Sequence, residues 1–377
     1  MSEWQEVKVE DVCEKITDGA HNSPKSVPFG MPMASVKDLT FFGVNLASSR
    51  HISKSDYEKL VKQGCRPEPD DILIAKDGNS ALDTVCRLKM PIDAVLLSSV
   101  AILRPDKSKI VPDFLKFYFR APNIISYLKS NFISGAAIPR VVLKDFKRAK
   151  ILLPPLDEQE EISNVLASLD DKIELNQRMN ETLEGMARSI FKSWFVDFDP
   201  VHAKAEGRTP EGMDSATAAL FPSTFTPDGL PEGWTQEPFS ELINLIGGGT
   251  PKTSNDEYWN GNIPWFSVVD APNETDVFVI DTEKKVTDLG VQNSSTKILQ
   301  PNTTIISARG TVGRVALTGV PMAMNQSCYG IQGNDLPDYY TYFSVKQLVS
   351  ELKSRTHGSV FDTITRSTFE TISFVKP

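Results

Sequence analysis

The chain has 377 residues, 40% hydrophobic and 24% charged, which excludes a disordered or fibrous chain. Four cysteines (Cys13, Cys65, Cys86, Cys328) without a CxxC pair, and four histidines (His21, His51, His202, His357) off ligand spacing, exclude a zinc or disulfide framework. The net charge of −9 runs against nucleic-acid binding, and with no signal peptide or bilayer-length apolar run a cytoplasmic protein without a membrane contact is expected.

The charge is unevenly placed. Residues 1–155 carry 23 basic and 18 acidic side chains, as a DNA-facing module should, whereas 156–197 has net −6, 198–233 net −4 and 234–377 net −4. The acidity of the last block counts against such a role for it.

The first block opens with WQEVKVEDVCEKITDGAHNSPKS from Trp4, a strand or helix start running into a small-residue loop, and continues through FGMPMASVKDL. DDILIA is a short β-branched run bounded by turn residues and predicts a strand. VPDFLKFYFRAPNIISYLKSNF repeats its apolar residues every three or four positions and predicts helix. SGAAIPRVVLKDFKRAKILLP closes the block.

A long helix is predicted over 156–197. Pro154 and Pro155 block earlier entry, Asp157 is a candidate N-cap, and Glu158, Glu160 and Glu161 suit the positive end of the dipole. Ile162, Val165, Leu166, Leu169, Ile173, Met179, Leu183, Met186, Ile190 and Trp194 form an apolar stripe, and about 40 residues at ~1.5 Å each make a rod of roughly 60 Å. Such a stripe calls for a second helix, and Ile162, Leu166, Leu169, Ile173, Asn176, Leu183, Ile190 and Trp194 are the expected pairing positions. Asn176 either sets register as a buried amide or is solvated. Residues 198–233, rich in Pro, Gly, Ala and Thr, read as a linker with a short helix at Ser215 to Leu220.

The block 234–377 repeats the order of the first. WTQEPFSELINLIGGGTPKTS answers the opening, GNIPWFSVVDA answers FGMPMASVKDL, and QPNTTIISARGTVGRVALTG answers EPDDILIAKDGNSALDTVCR. LPDYYTYFSVKQLVSELKSR supplies the helix and HGSVFDTITRSTFETISFVKP the close. No single match is convincing, but their common order implies duplication. The fold class expected is α+β: two similar mixed α/β domains, 1–155 and 234–377, joined by a long amphipathic central helix.

ILLPPLDEQEEI with its rod, then SIFKSWFVDFDPVHAKAEGR, AALFP and LPEGW, resembles the central conserved region of the specificity subunits of Type I restriction-modification enzymes. The likeness spans almost the whole chain, and GGGTPKTS and ARGTVGR resemble recurrent elements of their target-recognition domains. It implies that each domain reads half of a split double-stranded DNA sequence, and that the helix sets the gap and docks methyltransferase (modification) subunits. It further implies restriction (translocase/nuclease) subunits in the complex, no catalysis in this chain, and S-adenosylmethionine, ATP and Mg held only by those partners. The second conserved helix of such subunits is absent, the sequence stopping at ISFVKP, so truncation, self-association through the central helix or cover by a methyltransferase subunit is expected.

Base readout favours Arg, Lys, Asn and Gln on loops, and phosphate contact adds Ser and Thr. The candidates are Lys25, Lys76, Asn79, Arg140 and Lys144 in the first block, and Lys252, Thr253, Arg309, Arg314, Asn325 and Arg366 in the second. Gly247, Gly248 and Gly249 permit a tight turn, either beside a phosphate or purely structural.

Two rival readings stand beside this one. A self-contained methyltransferase lacks its (Asp/Asn/Ser)-Pro-Pro-aromatic loop here, GGGTPKTS is no P-loop because Pro251 replaces a glycine, and a nuclease could cite only Pro69-Asp70 with Asp145-Phe146-Lys147. A scaffold that never touches DNA is the other, slightly favoured by the acidic second block.

Overall fold

The computed structural model describes residues 4–78, 81–132, 140–272, 276–355 and 363–377. It forms two compact units, Met1–Leu175 and Asn176–Pro377. Among the described residues no helix is long and apolar enough to cross a membrane.

The first unit is built on a four-stranded antiparallel sheet in the order Cys13–Asp18, Val100–Pro105, Ile72–Ala75, Val85–Arg87. Ile72–Ala75 is apolar without alternation because both of its faces are covered. Ile72 and Ile74 join Ala101 and Leu103 against Phe114, Leu115 and Phe119 of the helix Pro112–Arg120 and Phe146 of Leu143–Arg148. Leu73 and Ala75 join Val100 and Ile102 on the opposite face, against Ala34, Leu39 and Leu96. Each such side chain taken out of water contributes about 1.5–3 kcal/mol before the cost of ordering it. A strand pair, Gln5–Lys8 with Lys150–Leu153, ties the two ends of the block together.

The second unit repeats this plan. Its sheet runs Ile243–Gly247, Cys328–Gly333, Thr304–Ser307, Val315–Thr318, with the short Phe278–Val279 added in parallel at the edge. Ile305 and Ile306 again point to separate cores, Ile306 toward Tyr340, Val345 and Leu348 of the helix Asp338–Arg355, and Ile305 toward Phe266 and Met324. The ends are tied by Thr235–Pro238 with Ser373–Lys376.

The likeness reaches single bonds. Ser35 N donates to Asp38 Oδ2 at 2.7 Å, and Ser267 N to Asp270 Oδ2 at 2.8 Å. Asp70 and Asn302, one residue before each Asp71/Thr303 turn, both take left-handed backbone, φ 75° and 65°. The fold therefore contains the expected α+β duplication.

The long helix spans Leu156–Phe195. Gln159 N bonds the carbonyl of Pro155 at 3.0 Å, so the helix begins two residues earlier than an Asp157 cap requires. Asp157 lies instead in the first turn, where its charge still meets the dipole.

Residues 198–233 are more than a linker. Beside the expected helix, at Ser215–Ala219, a second one runs Asp199–Ala205 with Pro200 in its first turn. Pro200, Val201, Ala203, Ala218 and Phe221 are buried, and Lys204 Nζ donates to the carbonyl of Ala218 at 3.0 Å and to that of Phe221.

Candidate nucleic-acid interface

In the first unit, Lys25 and Lys144 stand exposed, on a loop and on the helix Leu143–Arg148. Arg140 is half exposed, its Nε 3.1 Å from Asp77 Oδ1. Asn79 lies outside the described residues. Lys76 corrects the expectation of a direct contact: its side chain is 1% exposed, 3.3 Å from Asp18 Oδ2 and 3.5 Å from Asp77 Oδ1. It extends the buried run Ile72–Ala75 by one residue, and a cation placed there must be paired inside the fold.

In the second unit Lys252, Thr253, Arg309, Arg314 and Arg366 are exposed. Thr253 lines a small cleft of about 290 Å³ with Trp259, Trp265, Lys284 and Lys285. Arg314 lines a larger one of about 800 Å³ with Arg188, Lys192, Lys346, Lys353 and Asp276, so the charged side chains of its lining are mostly cationic. Asn325 serves the fold, since its side-chain oxygen accepts from Ser327 N at 3.0 Å and its backbone N donates to the carbonyl of Phe266 at 2.9 Å.

Two glycines of the loop serve the fold, whereas a Cβ on Gly247 would meet nothing within 4 Å. A Cβ on Gly248 would lie 1.9 Å from the carbonyl oxygen of Asn325, and one on Gly249 2.3 Å from Ser295 Oγ. Trp265 Nε1 donates to the carbonyl of Gly249 at 3.0 Å, locking the loop from below. Gly19 plays the same part in the first unit, where a Cβ would meet the Leu96 carbonyl oxygen at 2.1 Å.

Many basic residues of the first unit serve the fold. Arg87 pairs with Asp70 at 2.5 Å and with Asp113, and Arg104 with Asp71 at 2.8 Å. Others dock the long helix: Asp170 receives Lys116 at 3.0 Å and Arg120 at 2.5 Å, and Asp171 receives Lys89 at 2.6 Å. Part of the contrast between a basic first block and an acidic helix is thus internal complementarity. Sequence reasoning missed this docking set, and the only signal for it was that charge contrast.

In the second unit the helix inserts Glu184, whose Oε1 lies 2.7 Å from Lys346 Nζ and 3.4 Å from Tyr342 Oη. Burial alone would raise its carboxyl, but Lys346 and Arg188 outweigh that and hold it below the usual range. Phe191 packs on Tyr340 and Phe343 with ring centroids 5.2 and 5.6 Å apart.

The predicted pairing stripe divides. Ile162 packs against the first core, Leu166 is half-buried, and Trp194 meets Phe221 edge-on at 5.5 Å, so its two ends serve the units themselves. Between them Leu169 (56%), Ile173 (50%), Leu183 (56%) and Ile190 (44%) stay exposed, with Val165, Met179, Met186 and Asn176.

The nuclease candidates are occupied elsewhere, Asp70 by Arg87 and Lys107, and Asp145 by the backbone N–H of Val142 at 3.4 Å. Among the described residues no group of three or more His, Cys, Asp or Glu side chains could hold a metal ion. Burial pushes the thiols of Cys13, Cys86 and Cys328 up to about 12.

These features define a duplicated α+β protein, each copy carrying exposed Arg and Lys residues outside its sheet. Comparison with known proteins divides the chain in the same way: the family model for the Type I restriction modification DNA specificity domain matches residues 1–185 and again 231–377. The Type I restriction enzyme HindI specificity subunit of Haemophilus influenzae is 27% identical over 427 aligned residues, spanning 100% of this chain and 90% of that one. The putative type I restriction enzyme MjaX specificity subunit of Methanocaldococcus jannaschii is 21% identical, spanning 100% and 83%. Among solved structures, the Type I restriction-modification S subunit from M. genitalium matches over 99% of this chain and 84% of that one, at 14% identity and a TM-score of 0.48. The chain belongs to the Type I restriction-modification DNA specificity family.

Proposed function

We propose that this chain is the DNA-reading subunit of a Type I restriction-modification complex, each α+β unit recognising one half of a bipartite double-stranded target. The observation that carries this reading is the duplication itself. One fold appears twice, with exposed arginines at loop positions in each copy, and a split target needs two related readers in one chain. The 40-residue helix, roughly 60 Å at 1.5 Å per residue, is the element whose length sets the gap between the halves.

Its exposed apolar stripe is the surface for modification subunits, and a second copy of this chain is the competing occupant. Chemistry is delegated: methyl transfer with S-adenosylmethionine to the modification subunits, and ATP- and Mg-dependent translocation and cleavage to restriction subunits. The exposed candidates Lys25, Lys144, Lys252, Thr253, Arg314 and Arg366 serve as backbone-positioning contacts.

Selection of bound duplexes from a random pool tests this, with the full chain and its modification subunit. The expected product is a split consensus, two specific segments around a gap of fixed length. Recovery of unselected sequence, or methylation of DNA by this chain alone, contradicts the proposal.

A further inference from the structure

One backbone station recurs in the two units and carries an arginine in each. After the central strand of the first unit, a single antiparallel bridge joins Asp77 to Arg140; after the equivalent strand of the second, one joins Arg309 to Thr363. The same hydrogen bond frames each bridge, Val141 N to the Lys76 carbonyl at 3.0 Å and Ile364 N to the Ala308 carbonyl at 2.9 Å. A left-handed glycine follows each, Gly78 at φ 84° and Gly310 at φ 79°. The arginine comes from opposite members of the bridge, Arg140 in one copy and Arg309 in the other, and both are exposed.

In the first unit a chain of charges stands behind the arginine. Asp77 Oδ1 lies 3.1 Å from Arg140 Nε and 3.5 Å from Lys76 Nζ, which in turn lies 3.3 Å from Asp18 Oδ2. His21 Nε2 closes the chain on Asp18 Oδ1 at 3.0 Å. Lys76 is enclosed, so it fixes Asp77 without competing for solvent. Asp77 thus pairs with the guanidinium on its Nε side, and the two terminal nitrogens have no hydrogen-bond partner among the described residues.

A carboxylate placed beside a surface cation weakens that cation as a phosphate contact, because it cancels the charge a phosphate would meet. It does help a base contact, which depends on the orientation of the guanidinium plane. Two coplanar free N–H donors match O6 and N7 of guanine in the major groove.

We propose that Arg140 and Arg309 are equivalent base-reading residues, one per half-site, each directed at a guanine. Asp77 is the positioning residue of Arg140, and Lys76 with Asp18 is its buried anchor. Arg309 faces Thr363 across its bridge, and no carboxylate among the described residues pairs with it. The proposal rests on the DNA-reading function above and adds which side chains read, what they read, and how one of them is held.

The test repeats duplex selection with the full chain and modification subunit for wild type, Arg140→Ala, Arg309→Ala and Asp77→Asn. Arg140→Ala is expected to lose about 10- to 100-fold discrimination at one G·C pair in one half-site, the other half-site staying intact as an internal control for folding. Arg309→Ala gives the mirror result in the other half-site. Asp77→Asn lowers discrimination at the Arg140 position while raising affinity for random duplex, two opposite shifts that mere damage to the fold does not produce. A uniform loss of affinity with both consensus halves unchanged, or no change at all, overturns the proposal. If wild type selects no split sequence, the DNA-reading function fails first and takes the proposal with it.

Discussion

Asp170 offers the sharpest test of how the long helix is fastened to the first unit. It is 8% exposed and accepts from Lys116 Nζ at 3.0 Å and Arg120 Nη1 at 2.5 Å. Lys116, equally enclosed, also pairs with Asp113 at 3.0 Å, and Asp113 has Arg87 besides. The two deletions are therefore unequal. Asp170→Ala strips Arg120 of its carboxylate and leaves Lys116 with half its counter-charge, a cost of about 2–3 kcal/mol, below that of a fully orphaned buried ion. Lys116→Met keeps the apolar stem, leaves Asp170 to Arg120 and Asp113 to Arg87, and costs about 1 kcal/mol or less. In a unit of this size the first difference corresponds to roughly 4–12 °C of melting temperature. Thermal unfolding by circular dichroism, with hydrogen exchange of the helix amides to place the loss, distinguishes them. Equal effects of the two substitutions, or unchanged exchange around Asp170 in Asp170→Ala, would refute the reasoning.

Glu184 makes stability depend on pH. Its carboxyl is held below the ordinary value, so its contribution is complete above the unfolded pKa of about 4.3 and is lost as pH falls through the folded one. Melting curves between about pH 5 and pH 3 should fall less steeply for Glu184→Gln than for wild type. On the exposed stripe, Leu183→Lys with Met186→Lys should change stability by no more than about 0.5 kcal/mol, yet reduce association with modification subunits in analytical ultracentrifugation. Gly248→Ala, whose Cβ would lie 1.9 Å from a backbone oxygen, should lower the urea midpoint far more than Gly310→Ala. The latter meets open space and costs only about 1–2 kcal/mol for its left-handed backbone.

The long helix and the duplication were legible for separate reasons. Pro154-Pro155 followed by acids and a sustained stripe determines a helix locally, and repeated order survives even where individual matches are weak. The helix Asp199–Ala205 was missed because Asp199-Pro200 reads as a break, although proline in a first turn gives up an N–H that has no helical partner anyway. Lys76 was misplaced on the surface because lysine usually is there. Its position directly after four buried strand residues was the available warning. Asp170, Asp171 and Glu184 look like a solvated helix face in one dimension, since their partners Lys116, Lys89 and Lys346 lie 54, 82 and 162 residues away. The station shared by Arg140 and Arg309 could not be read from residue types, because the arginine changes sides of the bridge between copies.

The gap itself gives the most direct measurement. Glu174, paired with Lys89, and Glu184, paired with Lys346, bracket a solvent-facing stretch of helix around Asn176. A seven-residue insertion there adds about 10.5 Å while nearly preserving helical phase. Duplex selection should then return the same two half-sites with a gap widened by up to about 3 base pairs, the limit for a rod parallel to DNA at ~3.4 Å per pair. An unaltered gap, or altered bases in either half, would contradict a helix that measures while its two flanking domains read.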